Sequence, residues 1–262
     1  MMTNGARLAV RRVALVAALF AATGVACRSA PSGLDPNADL TVLFIGNSLT
    51  ASNDLPVLTR AVAAAGGRTL SYAVRVAPNV SLEDHWYAGV ADLIVSLRAD
   101  VVVLQQGPSS LLANQEHLRL WTETLAVPIR EAGGRPALFM VWPDASRTFA
   151  FDDVAAAYRG AAEAVDGLFI PAGDAWRAVW QVDPDAALYG GDGFHPSYLG
   201  SLVAALTMYA VVFDAGVRAL PRSVAPGLSA SQFELLLVAV YETVEASRSG
   251  AATDLGGGGK SP

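Results

Sequence analysis

Short apolar runs alternate with helix-patterned segments along most of this chain, and that alternation constrains its fold more than any other feature. The clearest run is residues 100–104, and residues 41–45, 70–76 and 137–142 are similar. Strands that are apolar throughout are buried on both faces, as in a parallel sheet covered by helices on each side. The sequence therefore predicts an α/β three-layer sandwich with a central, mostly parallel sheet, formed by one domain over residues 40–247.

Helical spacing of apolar residues separates these runs. It predicts helices over residues 54–65, 81–97, 115–131, 151–165, 174–180, 197–213 and 230–246, and a further short strand over 168–171. Parallel sheets bind their ligands at the carboxyl ends of the strands. The loops after residues 45, 76, 104, 142 and 190 are therefore expected to face a ligand or substrate.

Charge and cysteine content exclude several classes of protein. The chain has 18 Lys and Arg against 24 Asp and Glu, a net charge of −6, whereas a nucleic-acid binder needs a basic surface. One cysteine cannot form an internal disulfide, and one cysteine with three scattered histidines does not make a zinc site. We therefore expect no nucleic-acid partner, no metal and no other cofactor.

The first 26 residues have the pattern of an export signal. Three arginines and no acid come before a short apolar run, residues 13–22, which is too short to span about 30 Å of hydrocarbon. The only cysteine, Cys27, follows Gly-Val-Ala and resembles the lipidated cysteine of bacterial lipoproteins. Residues 27–39 are then predicted to be a tether and residues 248–262 a disordered tail. A membrane-anchored lipoprotein of the cell envelope is one interpretation, and a secreted protein with an ordinary signal peptide is the other.

A serine follows the first predicted strand. In Gly46-Asn47-Ser48-Leu49 the glycine permits a sharp turn, and Ser48 is expected near a helix N-terminus with backbone N–H groups around it. That is a suitable place for a nucleophile whose tetrahedral intermediate carries an oxyanion. The alternative is a capping serine in an ordinary strand-to-helix turn.

An Asp-x-x-His pattern lies in the Gly-rich loop before the helix predicted at residues 197–213. Asp192 can accept a hydrogen bond from one imidazole nitrogen of His195, which leaves the other nitrogen free to take a proton from Ser48. Taken alone, the pattern is typical of a turn with a solvated ion pair. Combined with Ser48, it predicts a serine-hydrolase triad.

With these two motifs the chain resembles the SGNH, or GDSL-like, hydrolases over about residues 40–212. Residues 46–49 are similar to the first sequence block of that superfamily, and residues 192–196 are similar to its last block. The resemblance implies a flavodoxin-like fold with helices on both faces of the sheet. It also implies an acyl-enzyme mechanism in which Ser48 is the nucleophile and His195 and Asp192 complete the triad.

The resemblance further implies a substrate class, which is small acyl esters, including O-acetyl groups on carbohydrate. A catalytically silent lipoprotein that binds glycan in the same cleft is the alternative function. A serine-directed fluorophosphonate probe separates the two, because only the esterase forms an adduct at Ser48.

The middle blocks depart from the family pattern. Asn79 stands where the second block has a glycine, and asparagine tolerates left-handed backbone geometry. Gln105-Gln106-Gly107 follows the third strand in place of Gly-x-Asn-Asp. The resemblance implies an oxyanion hole made by the N–H groups of Ser48 and Asn79 and by the side-chain amide of Gln106, with Gln105 as the alternative to Gln106.

Three further residues are predicted to line the substrate pocket: Asn47 beside the nucleophile, His85 on a helix near the active face, and Trp142 at the end of the fourth strand. For His85 and Trp142 the alternative is a buried structural role. His117 is expected on a solvated helix face.

Overall fold

A five-stranded parallel sheet forms the centre of the molecule. The computed structural model describes residues 33–250. The strands are β1 (Leu40–Gly46), β2 (Leu70–Val76), β3 (Val101–Leu104), β4 (Arg135–Phe139) and β5 (Leu168–Ile170), in the order β2-β1-β3-β4-β5. Every neighbouring pair is parallel. The predicted parallel sheet is confirmed, and its five strands lie at the five predicted positions.

Nine α-helices surround this sheet in the described part of the chain. They are α1 (Ser48–Ala51), α2 (Leu55–Ala65), α3 (Leu82–Tyr87), α4 (Val90–Leu97), α5 (Leu112–Glu131), α6 (Phe151–Ala164), α7 (Ala172–Val182), α8 (Tyr198–Val212) and α9 (Ala230–Arg248). One group, α2, α7, α8 and α9, packs together, and α4, α5 and α6 form a second group. The three-layer α/β architecture is therefore confirmed. Of these helices, none is both long and apolar enough to cross a membrane.

The single helix predicted over residues 81–97 is wrong. The structure has two helices there, because α3 ends at Tyr87 and Gly89 takes a left-handed conformation with φ +78° before α4 begins. Glycine adopts that conformation without the steric penalty of a side chain, and a left-handed residue cannot continue the helix. The predicted capping box is present, because Ser81 and Asp84 exchange hydrogen bonds at the start of α3.

The folded unit begins before β1. The N–H of Asp35 donates to Oγ of Ser71 at 2.8 Å, and the carboxylate of Asp39 accepts from both the N–H and the hydroxyl of Thr69. These contacts fix residues 35–39 beside the edge strand β2, whereas a tether was predicted up to residue 39. The predicted signal peptide, Cys27 and the first part of the tether lie outside the described residues.

The last helix extends further than predicted. Arg248 is the final residue of α9, and its guanidinium forms an ion pair with Asp214 (2.6 Å) and donates to the carbonyl of Ala210 (3.0 Å). These contacts continue the helix past residue 246. Residues 251–262 of the predicted tail lie outside the described residues.

Candidate active site

Ser48 lies at the first position of α1, directly after β1. Asn47 caps this short helix, with its side-chain oxygen accepting the N–H of Leu49 at 3.0 Å. Gly46 is required at the preceding position, because a Cβ there would lie 2.5 Å from Oε1 of Gln105. The turn therefore presents Ser48 at the carboxyl edge of the sheet, as predicted.

The structure brings Ser48, Asp192 and His195 together in one hydrogen-bonded chain. The Ser48 hydroxyl lies 2.9 Å from Nε2 of His195, and Nδ1 of His195 lies 2.6 Å from the Asp192 carboxylate. The imidazole hydrogen bond, followed by the N–H groups of Phe194 and His195, lowers the pKa of Asp192 to about 2. Asp192 is therefore ionised at neutral pH, and it orients the imidazole so that Nε2 can accept the serine proton.

Trp142 holds the loop that carries the histidine. Its indole N–H donates to the carbonyl of Phe194 at 3.0 Å, and its ring stacks on Trp176 with centroids 3.6 Å apart. Trp142 is 0% exposed. The prediction that it lines the substrate pocket is therefore wrong, and the structural alternative is confirmed.

The side chains of Asn47 and His85 are also buried, and they bind backbone groups around the Ser48 turn. Asn47 is 7% exposed, and besides capping α1 it donates from Nδ2 to the carbonyl of Val80 at 3.2 Å. His85 is 3% exposed, and its Nε2–H donates to the carbonyl of Gly46 at 2.8 Å. Burial lowers the pKa of His85, which opposes its protonation. Both predictions of substrate contact are wrong, because α3 places His85 under the nucleophile turn.

Gln105 uses all of its hydrogen-bonding capacity inside the protein. It is 0% exposed, and its Oε1 accepts from the N–H of Asn47 (2.9 Å) and the hydroxyl of Thr50 (2.7 Å). Its Nε2 donates to Oδ1 of Asn47 (3.0 Å) and to the carbonyl of Gln106. Both acceptor sites and both donors are therefore used to fix the backbone on either side of Ser48.

Gln106 points away from Asn47, toward α3 and α5. Its Oε1 accepts the N–H of Leu82 at 3.3 Å, and its Nε2 donates to Oγ of Ser109 at 3.0 Å and lies 3.5 Å from Nδ1 of His117. Both amide hydrogens thus have an acceptor within the protein. Donation from Gln106 to an oxyanion, which the sequence predicted, requires the exchange of one of these contacts.

Asn79 has the backbone geometry that its predicted role requires. Its φ is +57°, in the left-handed region, and the residue is exposed. The N–H of Ser48 is the first of α1 and so has no partner within that helix. The Ser48 N–H is therefore available beside the Ser48 hydroxyl, and Asn79 has the left-handed backbone that its predicted role needs.

His117 is more than a solvated helix residue. Its Nε2 lies 2.9 Å from the carboxylate of Glu83, so that α5 is joined to α3. Together with Gln106, Ser109 and Asn114 it lines a cleft of about 300 Å³ with both polar and apolar surface. His117 therefore lies on a partly exposed helix face, as expected, and its side chain also contacts α3.

Two residues that hold the site were not found from the sequence. The hydroxyl of Tyr158, fully buried on α6, accepts the N–H of Gln106 at 3.2 Å and lies 2.8 Å from its carbonyl. Burial raises the pKa of Tyr158, so the phenol stays protonated and can donate. The other is Asn53, whose side chain contacts the loop after His195. Its only signal is the pair Asn53-Asp54, since these residue types tolerate left-handed turns.

A metal site is not evident in residues 33–250, where no three His, Cys, Asp or Glu side chains are grouped to hold an ion. The arrangement is a carboxylate, an imidazole and a serine hydroxyl joined by hydrogen bonds, with the N–H of Ser48 at the start of α1. Such an arrangement can take a proton from serine and stabilise an oxyanion.

The five-stranded parallel sheet flanked by helices matches the fold of solved SGNH hydrolases. A protein from Slackia heliotrinireducens, provisionally assigned as an SGNH hydrolase, superposes with a TM-score of 0.55 at 23% identity, over 66% of this chain and 98% of that chain. The chain therefore has the fold of the SGNH hydrolases, as the sequence predicted.

Two other solved structures are similar. A DUF4886 family protein from Bacteroides uniformis gives a TM-score of 0.67 at 17% identity, covering 81% of this chain and 96% of that chain. A mutant of Axe2, an acetyl-xylooligosaccharide esterase from Geobacillus stearothermophilus, gives 0.52 at 16% identity, covering 65% and 93%. No protein-family model and no curated protein matches the chain. At these identities the similarity establishes the fold.

Proposed function

We propose that the protein is a serine esterase that hydrolyses small acyl esters through an acyl-enzyme. The observation that carries this proposal is the chain of hydrogen bonds from Ser48 through His195 to Asp192, at 2.9 Å and 2.6 Å. A capping serine in an ordinary turn has no need of a base at hydrogen-bonding distance that is itself held by an ionised carboxylate.

In the first half-reaction Ser48 Oγ bonds to the ester carbonyl carbon while His195 Nε2 takes the serine proton. The carbonyl oxygen becomes an oxyanion, and the imidazolium that forms is stabilised by Asp192. When the tetrahedral intermediate collapses, the bond to the alcohol oxygen breaks and His195 gives its proton to the leaving alcohol. Water then repeats these steps on the acyl-serine and releases the acid.

The N–H groups of Ser48 and Asn79 are our proposed oxyanion donors. The left-handed backbone of Asn79 and the position of Ser48 at the start of α1 support this assignment. Gln106 remains a predicted third donor. Gln105 is better explained as support for the nucleophile turn, because its four hydrogen bonds all lie inside the protein.

O-acetyl groups on carbohydrate are the substrate that we propose within this class. The similar fold of an acetyl-xylooligosaccharide esterase supports this choice. The cleft beside Gln106 has hydroxyl, amide and imidazole groups next to Gly107 and Pro108 and has no arginine, so it can bind a neutral hydroxylated group.

Activity on p-nitrophenyl acetate and labelling by a fluorophosphonate test the proposal. Ser48→Ala and His195→Ala are each expected to lose turnover by on the order of a millionfold, and the double variant to be no worse. Asp192→Asn is expected to lose less, because the imidazole remains. Wild-type turnover in Ser48→Ala would contradict the esterase function. Absence of any Ser48 adduct together with glycan binding would instead favour the catalytically silent binding protein.

Attachment to the cell envelope through a lipid on Cys27 is a separate proposal. It is supported by the arginine-rich start, the apolar run and the position of the only cysteine in the chain. Cys27→Ser is expected to release the protein from membranes, as measured by fractionation and by mass spectrometry of the mature N-terminus. A mature N-terminus without lipid in the wild type would favour the secreted alternative.

A further inference from the structure

Asn53 connects the nucleophile turn to the loop that carries the base. Its Nδ2 donates to the carbonyl oxygens of Pro196 (3.0 Å) and Ser197 (3.1 Å) and to Oγ of Ser201 (2.9 Å). These acceptors lie at the start of α8, 143 to 148 residues further along the chain. One side chain therefore joins two segments that are distant in sequence.

The backbone at Asn53 is held in an uncommon conformation. Asn53 has φ +52° and ψ +26°, and Asp54 directly after it has φ +52° and ψ +49°. Two successive left-handed residues other than glycine are uncommon, and such conformations persist where surrounding contacts fix them, often at functional sites. The contacts at this site that fix Asn53 are those to α8.

Few other hydrogen bonds join these two segments. Within residues 33–250, the only other hydrogen bond between residues 46–54 and residues 190–201 is the one between Ser48 and His195. That bond must break and form during each turnover. The packing of α2 against α8 holds the two segments in the same part of the fold. The Asn53 hydrogen bonds are the polar contacts between them that stay in place while the proton moves.

We propose that Asn53 is a positioning residue that keeps His195 within proton-transfer distance of Ser48. The proposal rests on the esterase function proposed above. Pro196 directly follows His195, and its ring fixes φ, so a hydrogen bond to the Pro196 carbonyl limits how far the imidazole can move. Proton transfer needs a heavy-atom distance of about 2.6–3.2 Å, and the observed distance is 2.9 Å.

Asn53→Gly tests this role without adding backbone strain, because glycine adopts left-handed geometry freely. We expect kcat on p-nitrophenyl acetate to fall by roughly 10- to 100-fold with little change in KM, because a displacement of about 1 Å costs that much. The rate of fluorophosphonate labelling should fall by the same factor. The matched control is Asp54→Asn, since Asp54 shares the strained turn and its side chain does not cap α2; this variant should keep wild-type kcat.

A second measurement separates positioning from a general structural effect. In a His195→Ala background, Asn53→Gly should cause no further loss, because Asn53 acts through His195. A further loss of tenfold or more, or wild-type kcat in Asn53→Gly alone, would overturn the proposal.

A crystal structure of Asn53→Gly provides a readout that does not depend on activity. We expect the Ser48 Oγ to His195 Nε2 distance to exceed about 3.5 Å, the limit of a hydrogen bond. An unchanged distance would refute the positioning role even if the wild type proved inactive. An inactive, unlabelled wild type would contradict the esterase function and leave this distance to decide the role of Asn53.

Discussion

Replacing Gln105 should damage both the stability of the fold and the placement of the nucleophile. In Gln105→Ala the buried N–H of Asn47 loses its acceptor, which costs about 1–3 kcal/mol. Loss of a buried methylene adds about 0.8 kcal/mol, and the hydroxyl of Thr50 loses an acceptor too. We therefore expect about 3 kcal/mol of lost stability, or a Tm lower by roughly 6–12 °C in a chain of this size.

Turnover should fall as well, because Asn47 caps the helix that begins at Ser48. A misplacement of about 1 Å at that position corresponds to a loss of about 100-fold in kcat. Thermal melting and p-nitrophenyl acetate hydrolysis measure the two effects. Gln181→Ala is the matched control, since Gln181 is an exposed residue of α7, and it should change neither quantity.

The pH dependence of Tm in Gln105→Glu provides a second test of this buried position. The new carboxyl group would be buried and would face Oδ1 of Asn47, so its pKa in the folded state should lie above that in the unfolded state. The folded state then binds more protons, and stability falls as pH rises. The Tm deficit of Gln105→Glu should therefore be larger at about pH 8 than at about pH 5. A wild-type Tm and kcat in Gln105→Ala would refute the structural role of Gln105.

Three other changes test the groups that hold the site. Trp142→Phe removes the donor to the Phe194 carbonyl, so it should lower stability by at least about 1 kcal/mol and reduce kcat. A kcat equal to that of the wild type would show that other contacts hold the His195 loop. Tyr158→Phe leaves buried backbone groups of the third-strand loop without a partner and should cost about 1–3 kcal/mol in chemical denaturation. Burial lowers the pKa of His85 below 6.5, so the unfolded state binds more protons and stability is lost as pH falls from 6.5 through the folded-state pKa. His85→Gln can still donate to Gly46 and should narrow the Tm difference between about pH 7.5 and pH 5; an unchanged difference would contradict this account.

The strands could be predicted because their composition alone requires burial. Val101–Leu104 is fully buried, and its four apolar residues leave no solvent-facing side. The hydrogen-bonded arrangement of Ser48, His195 and Asp192 could be predicted because a serine nucleophile needs a base, and the Asp-x-x-His motif supplies one. The break at Gly89 was missed because a single glycine is compatible with a helical pattern, and only the packing of α3 and α4 decides whether the chain turns there.

The sequence could not separate residues that support the site from residues that line a pocket, because sequence position does not give side-chain direction. Asn47, His85 and Trp142 all lie at the predicted active edge, yet each side chain points into the protein. The same difficulty applies to Gln105 and Gln106. Successive side chains at the end of a strand point in opposite directions, and the sequence does not say which of the two points toward Ser48. Which of the two faces the nucleophile turn depends on the register of β3 against β1, and that register follows from the whole sheet.

The order of the triad along the chain also determines when the active site can form. Ser48 directly follows β1 and His195 lies just before α8, so 147 residues separate the two groups of the proposed proton transfer. Every shorter product of synthesis or proteolysis that ends before residue 195 carries the nucleophile without its base. Such a fragment cannot react by this route, however well its sheet has formed. Under the proposed esterase function, hydrolysis is therefore possible only in chains that extend past residue 195, nearly three-quarters of the sequence.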